Sequence, residues 1–360
     1  MKKIRLLIVD DSALIRTMLT KIFDASEDIE VVGTAADPII AREKIKKLHP
    51  DVLTLDIEMP RMDGLTFLRN LMRLRPMPVV MISTLTEKGA EVTLEALKIG
   101  AIDFIAKPKV DVSNTLQAYA DDLVEKVKAA AAANIQPDVH TPKRSAAIAQ
   151  PSKSISVDSI IQPAIVNTRF AKTEKIIALG SSTGGTEAVK ELVKGLPATT
   201  PAILISQHLP AAFSASFVKH VDEVAKMHAL IAEDGQEIVA GNIYISPGDR
   251  HILLKRQGNK YFCKLSDGPL VNRHKPSVEV MFRSFAQVAG SNALGVMLTG
   301  MGADGAVAMK EMFDAGSINL IQDEESSVVW GMPGAAFREG AAHYVLPLDK
   351  IAAQITQLAK

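Results

Sequence analysis

A chain of 360 residues, 47% of them hydrophobic and 23% charged, is long for one domain and comfortable for two with proper cores. Lys and Arg balance Asp and Glu at 41 each, so no global charge points to a nucleic-acid partner or an anionic membrane surface. The single cysteine, Cys263, excludes an internal disulfide framework, and no stretch approaches the roughly 20 apolar residues that span a bilayer. The first residues are apolar only from Ile4 to Val9, with Arg5 inside, which suits a first strand and is too short for a signal peptide. A cytoplasmic protein without membrane insertion is expected.

From residue 1 to about 128, the short apolar runs IRLLIV, EVVGTA, DVLTLD, PVVMIS and DFIAK alternate with amphipathic helical patterns. Five βα units of this kind predict a parallel sheet with helices on both faces. The run EKVKAAAAA is expected to extend the last helix, after which prolines at 137, 142, 151 and 163 among Ser, Thr, Gln and basic residues read as a linker. Boundaries follow at 1–125 for the first domain, 126–172 for the linker and 173–360 for the second domain. There the alternation resumes in IIALG, AILISQ, NIYIS, ALGVMLT and INLIQ, predicting a doubly wound, mostly parallel sheet. One antiparallel intrusion is expected, because HILLKRQGNKYFCKL holds two apolar runs joined by a Gln-Gly-Asn turn.

Open α/β sheets place their chemistry at the carboxyl ends of strands. In the first half those ends carry Asp10 and Asp11, then Asp56, then Ser83, then Lys107 followed by Pro108. Carboxylates forced together repel, and a hard divalent cation such as Mg²⁺ relieves the repulsion. Asp56 could then attack a phosphoryl donor, with Lys107 neutralising phosphoryl oxygens and the Ser83 hydroxyl donating to one of them. The segments LLIVDDS, LTLDIEMPRMDG, VVMIST and DFIAKP closely resemble the flavodoxin-like receiver domain of two-component response regulators. The resemblance implies Asp56 as phosphoacceptor, Asp11 as chief Mg²⁺ carboxylate with Asp10 beside it, and the Glu58 backbone carbonyl as a further metal ligand. Phe104 takes the place of the aromatic switch residue, which is often tyrosine in relatives.

In the second half, IIALGSSTGG ends a greasy run in hydroxyls and glycines. The spacing of Gly180 and Gly185 suits a P-loop, but Thr186 stands where the phosphate-binding lysine belongs. Gly180-Ser-Ser182-Thr-Gly184 does fit G-x-S-x-G, a strained strand-to-helix turn that thrusts its central serine outward. Such a serine needs a base. Of eight histidines, His208 alone ends the strand run that follows, AILISQH, so it should emerge beside Ser182 if the two strands are neighbours. His220 and His228 read instead as residues of one helix.

The orienting acid is Asp304, in Gly300-Met-Gly-Ala-Asp-Gly305. That stretch also matches the dinucleotide fingerprint G-x-G-x-x-G, the main rival reading, with Asp323 further on. An aspartate inside a loop meant for a pyrophosphate opposes the helix dipole that would hold the anion, whereas it suits an imidazole partner. Cys263 and Trp330 read as packing residues. A DNA-binding regulator is disfavoured too, since residues 174–360 hold 17 Lys and Arg against 19 Asp and Glu.

GSSTGG, SQHLP, SPGDRH, DGPLVNRHKPSVEVMF and LTGMGADG, with the layout of receiver, linker and esterase, closely resemble the chemotaxis protein-glutamate methylesterases of the CheB family. The resemblance implies a phosphorylation-gated serine esterase that hydrolyses glutamate γ-methyl esters of methyl-accepting chemoreceptors, with deamidation of receptor glutamines in many relatives. It implies a chemotaxis histidine kinase as phosphodonor, and no cofactor for the esterase reaction. By the same match Ser182 is nucleophile, His208 base and Asp304 its partner. Thr183 and the Met301 backbone N–H lie near the oxyanion, while Arg273 and His274 line the cleft.

Overall fold

In the N-terminal half the apolar runs become strands and the intervening patterns become capped helices: β1 (Ile4–Val9), α1 (Ala13–Asp24), β2 (Ile29–Ala35), α2 (Pro38–Leu48), β3 (Val52–Asp56), α3 (Gly64–Leu74), β4 (Val79–Ser83), α4 (Glu87–Ile99), β5 (Asp103–Ala106) and α5 (Leu116–Ala132). Ser12, Asp37, Asp63 and Thr86 each accept a backbone N–H of the first turn of α1, α2, α3 and α4, which fixes where those helices begin. The strands form one parallel sheet in the order β2-β1-β3-β4-β5. Every residue of β3 and β4 is buried, as expected of strands covered on both faces.

The structure, a computed structural model, describes residues 2–59, 62–84, 86–107, 116–133, 156–163 and 174–359. Pro108 and most of the segment read as a linker lie outside the described residues. The chain divides into two units, Met1–Ala146 and Ala147–Lys360. The helix α5 continues to Ala132, past the 125 boundary read from the sequence, because its alanine run is a strong helix former.

The second unit continues with β6 (Ile176–Ser181), α6 (Gly185–Lys194), β7 (Ile203–Gln207), α7 (Ala211–Asp222), β8 (His228–Ile231), β9 (Asn242–Ile245), β10 (His251–Gln257), β11 (Lys260–Ser266), α8 (Val278–Val288), β12 (Ala293–Met297), α9 (Ala306–Asp314), β13 (Ile318–Gln322), α10 (Met332–Arg338), β14 (Tyr344–Leu346) and α11 (Leu348–Leu358). Seven strands pair in the order β14-β13-β12-β6-β7-β9-β8, all parallel. The chain leaves β6 toward β7 on one side and returns to β12 on the other. That reversal opens a crevice at the carboxyl end of β6, where doubly wound sheets bind their ligands.

The expected hairpin is β10–β11, antiparallel from His251↔Ser266 to Gln257↔Lys260, with Gly258 at φ 60 in its tight turn. Its inward face (Ile252, Leu254, Tyr261, Cys263 and Leu265) joins Met281, Phe282 and Phe285 of α8 in the core of the unit. Cys263 is thus a packing residue, its thiol pushed up to about 12 by burial and by the charge of Asp234. His228 corrects the sequence reading: α7 ends at Asp222, and His228 opens the edge strand β8. The Asp222 carboxylate accepts from the Ala229 N–H (2.8 Å) and so joins that helix end to the strand. A four-residue edge strand carries too little alternation to be told from a helix by pattern.

Part of the predicted linker packs on this unit. Ser156 caps a short 3-10 turn, Val157–Ser159, and Val157 sits against Val271 and Val280. Asp158 pairs with Arg283, itself 6% exposed and forked onto Glu311 (2.9 and 2.5 Å). The Gln287 side chain donates to the Gln162 carbonyl (2.8 Å). Among the described residues no helix is long and apolar enough to cross a membrane.

Candidate active site

Two strand rims carry the residues singled out by the sequence. In the first unit Asp10 follows β1, Asp56 ends β3, Ser83 ends β4 and Lys107 follows β5, so the parallel order brings all four to one rim. Asp10, Asp11 and Asp56 present carboxylate oxygens within 4.8 Å of one another. Lys107 Nζ lies 2.8 Å from Asp56 Oδ2 and 3.3 Å from Asp10 Oδ2. Those two oxygens are buried and converge on this one ammonium group. Burial, with the negative charge of Asp10, outweighs the hydrogen bond from Lys107 and raises the Asp56 carboxyl to about 6. One lysine cannot satisfy three carboxylates, and this hard oxygen set fits a divalent cation. The Glu58 backbone N–H donates to Asp56, so that peptide borders the cluster. Ser83 Oγ accepts from Thr93 Oγ1 (2.8 Å) and donates to the Thr84 carbonyl (3.2 Å). Phe104 is buried under the Lys126 ammonium, 5.1 Å from its ring.

In the second unit β6 and β7 are adjacent, so Ser182 and His208 leave the same rim, and Asp304 arrives from the loop after β12, the other neighbour of β6. His208 Nε2 lies 2.9 Å from Asp304 Oδ2, and His208 Nδ1 lies 3.1 Å from Ser182 Oγ. An ionised carboxylate only accepts, so Nε2 carries the ring proton and Nδ1 accepts from the serine hydroxyl. Asp304 is buried, yet its carboxyl is held below the usual range. Burial alone would raise it, and the hydrogen bonds it accepts, those from His208 and Asn272 among them, prevail.

The bend of the serine turn is carried by a glycine rather than by the serine itself. Ser182 is not among the described non-glycine residues at positive φ; Gly184 carries the left-handed backbone at φ 75. A Cβ on Gly184 would meet Val328 at 2.7 Å, and one on Gly300 would meet the Ser182 Cβ at 2.9 Å. Glycine at 300 therefore lets the loop bearing Met301 and Asp304 lie against the serine. The Ser182 N–H is committed to the Thr299 carbonyl (3.1 Å), which leaves other loop amides to face an oxyanion. Thr183 is buried beside the serine, and the Met301 amide lies in the Gly300–Gly305 loop.

The dinucleotide reading fails on the same loop. The Glu279 carboxylate accepts from the Gly305 N–H (2.8 Å) and the Ala308 N–H (3.1 Å), occupying the start of α9 where a pyrophosphate would bind. Asp323 accepts from the N–H and hydroxyl of Ser326 and caps a loop.

Sequence reasoning missed the residues around the acid. Asp304 Oδ1 accepts from Asn272 Nδ2 and Ser277 Oγ, both at 2.8 Å, and Oδ2 also accepts from the Val278 N–H at 2.7 Å. Buried His251 donates from Nε2 to the Pro269 carbonyl (2.8 Å) and accepts the Ser277 N–H at Nδ1 (3.2 Å), stapling the loop that supplies them. The Gln207 amide donates to the Ser182 carbonyl (3.0 Å) and its oxygen accepts from Ser181 Oγ (2.5 Å). A glutamine closing an otherwise greasy strand was a legible signal; the others had none. His274 stacks on His208 with ring centroids 3.7 Å apart, and Arg273 is exposed next to it.

With that geometry in view, residues 177–355 match the family model described as CheB methylesterase, and residues 6–126 match that of the response regulator receiver domain. A protein-glutamate methylesterase/protein-glutamine glutaminase of Hydrogenovibrio crunogenus is 53% identical over 100% of both chains. The chain belongs to the CheB methylesterase family. A second relative of that description, from Xanthomonas oryzae pv. oryzae, is 51% identical over 99% of this chain and 97% of its own. The crystal structure of the Thermotoga maritima CheB methylesterase catalytic domain is 36% identical with a TM-score of 0.51, covering 52% of this chain and 100% of that one. The family's receiver and esterase parts thus correspond to the two rims.

Proposed function

We propose that this chain is a phosphorylation-activated serine hydrolase that removes methyl groups from glutamate γ-methyl esters of chemoreceptors during chemotactic adaptation. The observation that carries this reading is the continuous relay from Ser182 Oγ through His208 to Asp304, at 3.1 and 2.9 Å. In this mechanism His208 Nδ1 takes the serine proton as Oγ attacks the ester carbonyl. Asp304 holds the opposite nitrogen and stabilises the imidazolium. Loop amides, with Met301 and Thr183 as the candidates, receive the oxyanion. The imidazolium returns its proton to the departing methoxide, methanol leaves, and water repeats the cycle to free the glutamate. A γ-amide enters the same path with ammonia as leaving group, which is the glutaminase reaction of the named relatives. His274, stacked on His208, and the exposed Arg273 next to it would face the receptor helix.

In the receiver, Asp56 is the proposed phosphoacceptor, with Lys107 and Ser83 contacting the phosphoryl oxygens. Asp10, Asp11, Asp56 and the Glu58 carbonyl would hold Mg²⁺, which offsets the charge of the transferring group. The donor is a chemotaxis histidine kinase, and the substrates place the work in the cytoplasm. Phosphorylation then shifts the population toward an open esterase.

Methanol release from methylated receptor membranes tests both halves. Mg²⁺ with a small phosphodonor should raise the rate, and Asp56→Asn should reduce that stimulation to nothing while leaving basal activity. Ser182→Ala should lose about 10⁴-fold or more, as nucleophile removal does in serine hydrolases. Activity persisting in Ser182→Ala defeats the chemistry; equal rates with and without phosphodonor defeat the gating.

A further inference from the structure

Asp304 accepts four hydrogen bonds, and three of their donors are ordinary. Ser277 and Val278 open α8, a rigid element, and His208 is the base itself. The fourth donor, Asn272, sits at φ 50 with Arg273 at φ 70 beside it, and the only other described non-glycine residue at positive φ is His49. Two consecutive left-handed residues are disfavoured for L-amino acids and persist where the surroundings over-determine them. Here Val271 and His274 exchange backbone hydrogen bonds (3.1 and 2.8 Å) across the pair, closing a mirror-image turn. Asparagine tolerates that conformation; an arginine after it does so only because the turn is closed.

The turn touches the relay at both ends. Its first central residue donates to Asp304 Oδ1, and His274, which closes it, stacks on the His208 ring. We propose that Asn272 is a positioning residue of the esterase, whose amide fixes the Asp304 carboxylate so that Oδ2 stays aimed at His208 while the imidazolium forms. A carboxylate can tilt about its Cβ–Cγ bond, and donors on both oxygens remove that freedom. Donation to Oδ1 also draws off part of the negative charge, which moderates how tightly Asp304 holds a proton on His208. The inference rests on the triad reading above and assigns it a further member that does not touch substrate.

Two substitutions separate positioning from turn-making. Asn272→Gly removes the amide while suiting positive φ better than asparagine does. Asn272→Asp keeps a side chain that tolerates the turn but sets a second carboxyl against Oδ1. Both are made in the full chain and assayed with excess phosphodonor. Methanol release is followed against pH, and fluorophosphonate labelling of Ser182 is followed as a rate independent of receptor binding. Both variants should melt somewhat lower than the parent but remain fully folded at the assay temperature and keep KM, with kcat and labelling lowered about 10- to 100-fold, the range seen when a supporting hydrogen bond is lost. The acid limb of kcat/KM should move to higher pH, further for Asn272→Asp, because a less neutralised anion holds the imidazolium proton more tightly. Asn272→Gly at parental rate, a loss confined to KM, or a fall in kcat with an unmoved acid limb overturns the proposal. If Ser182→Ala is inactive while Asn272→Gly is fully active, only this inference fails; if Ser182→Ala is active, the triad reading fails with it.

Discussion

The two rims solve the problem of a buried carboxylate in opposite ways. In the esterase, Asp304 has every oxygen lone-pair direction met by a donor: an imidazole, an amide, a hydroxyl and a backbone N–H, all within 2.9 Å. In the receiver, Asp10 and Asp56 turn their buried Oδ2 atoms to one shared lysine, with a third carboxylate, Asp11, alongside. The first arrangement is finished, with its dipoles aimed before any substrate arrives, as catalysis by preorganised electrostatics requires. The second is unfinished, and its outstanding charge is what a cation and a phosphoryl group would complete. A catalytic rim is built to change little during its cycle; a switch is built so that a ligand changes its electrostatics.

The sharpest break in this contrast comes from the finished site. Asp304→Asn keeps the shape but presents donors to donors and removes the charge facing His208. Esterase turnover and fluorophosphonate labelling should both fall about 10³- to 10⁴-fold, the scale known when a triad carboxylate becomes an amide. Adding Mg²⁺ sharpens it from the other side. The ion should stabilise the receiver by about 1–3 kcal/mol at ligand concentrations well above its Kd, while the esterase transition in calorimetry stays put. Chelation should reverse the shift, and Asp10→Ala should abolish it.

The smallest effect concerns His251. Burial, and more weakly the Lys275 charge, hold its pKa below the usual value against the hydrogen bond to Pro269. Its Nδ1 must also stay unprotonated to accept the Ser277 N–H. A base with a lowered folded pKa binds fewer protons folded than unfolded in the window between the two values. Its stabilisation is therefore complete above about pH 6.5 and is lost as pH falls from there toward the folded value. His251→Gln should cost about 1 kcal/mol at neutral pH, from the staple it removes. The gap between parent and variant should narrow on acidification, read as the esterase melting temperature from pH 8 to 5.

Much of this was legible from the chain. Runs such as PVVMIS and AILISQ announced strands because parallel strands buried on both faces are continuously apolar. Asp304 was found by incongruity, an anion inside a loop shaped for anions. His208 was found because neighbouring parallel strands end at one rim. The edge strand β8 was not legible, being four residues read as the tail of a helix. Nor were Asn272 and Ser277, which reach Asp304, or His251, which staples their loop, because the path of that hairpin and loop depends on tertiary packing rather than on any period in the sequence. The elbow motif located the serine; that Gly184 is the residue carrying the left-handed backbone emerged only from the structure.

The packing of residues 156–163 bears on where this protein can be divided. A fragment begun at Glu174 would take Asp158 from the largely buried guanidinium of Arg283 and uncover Val271 and Val280. Val271 is the first residue of the closed turn that presents Asn272 to Asp304. Such a truncation trims a strut of the esterase along with its leash, so rates measured on it would understate what the released enzyme can do.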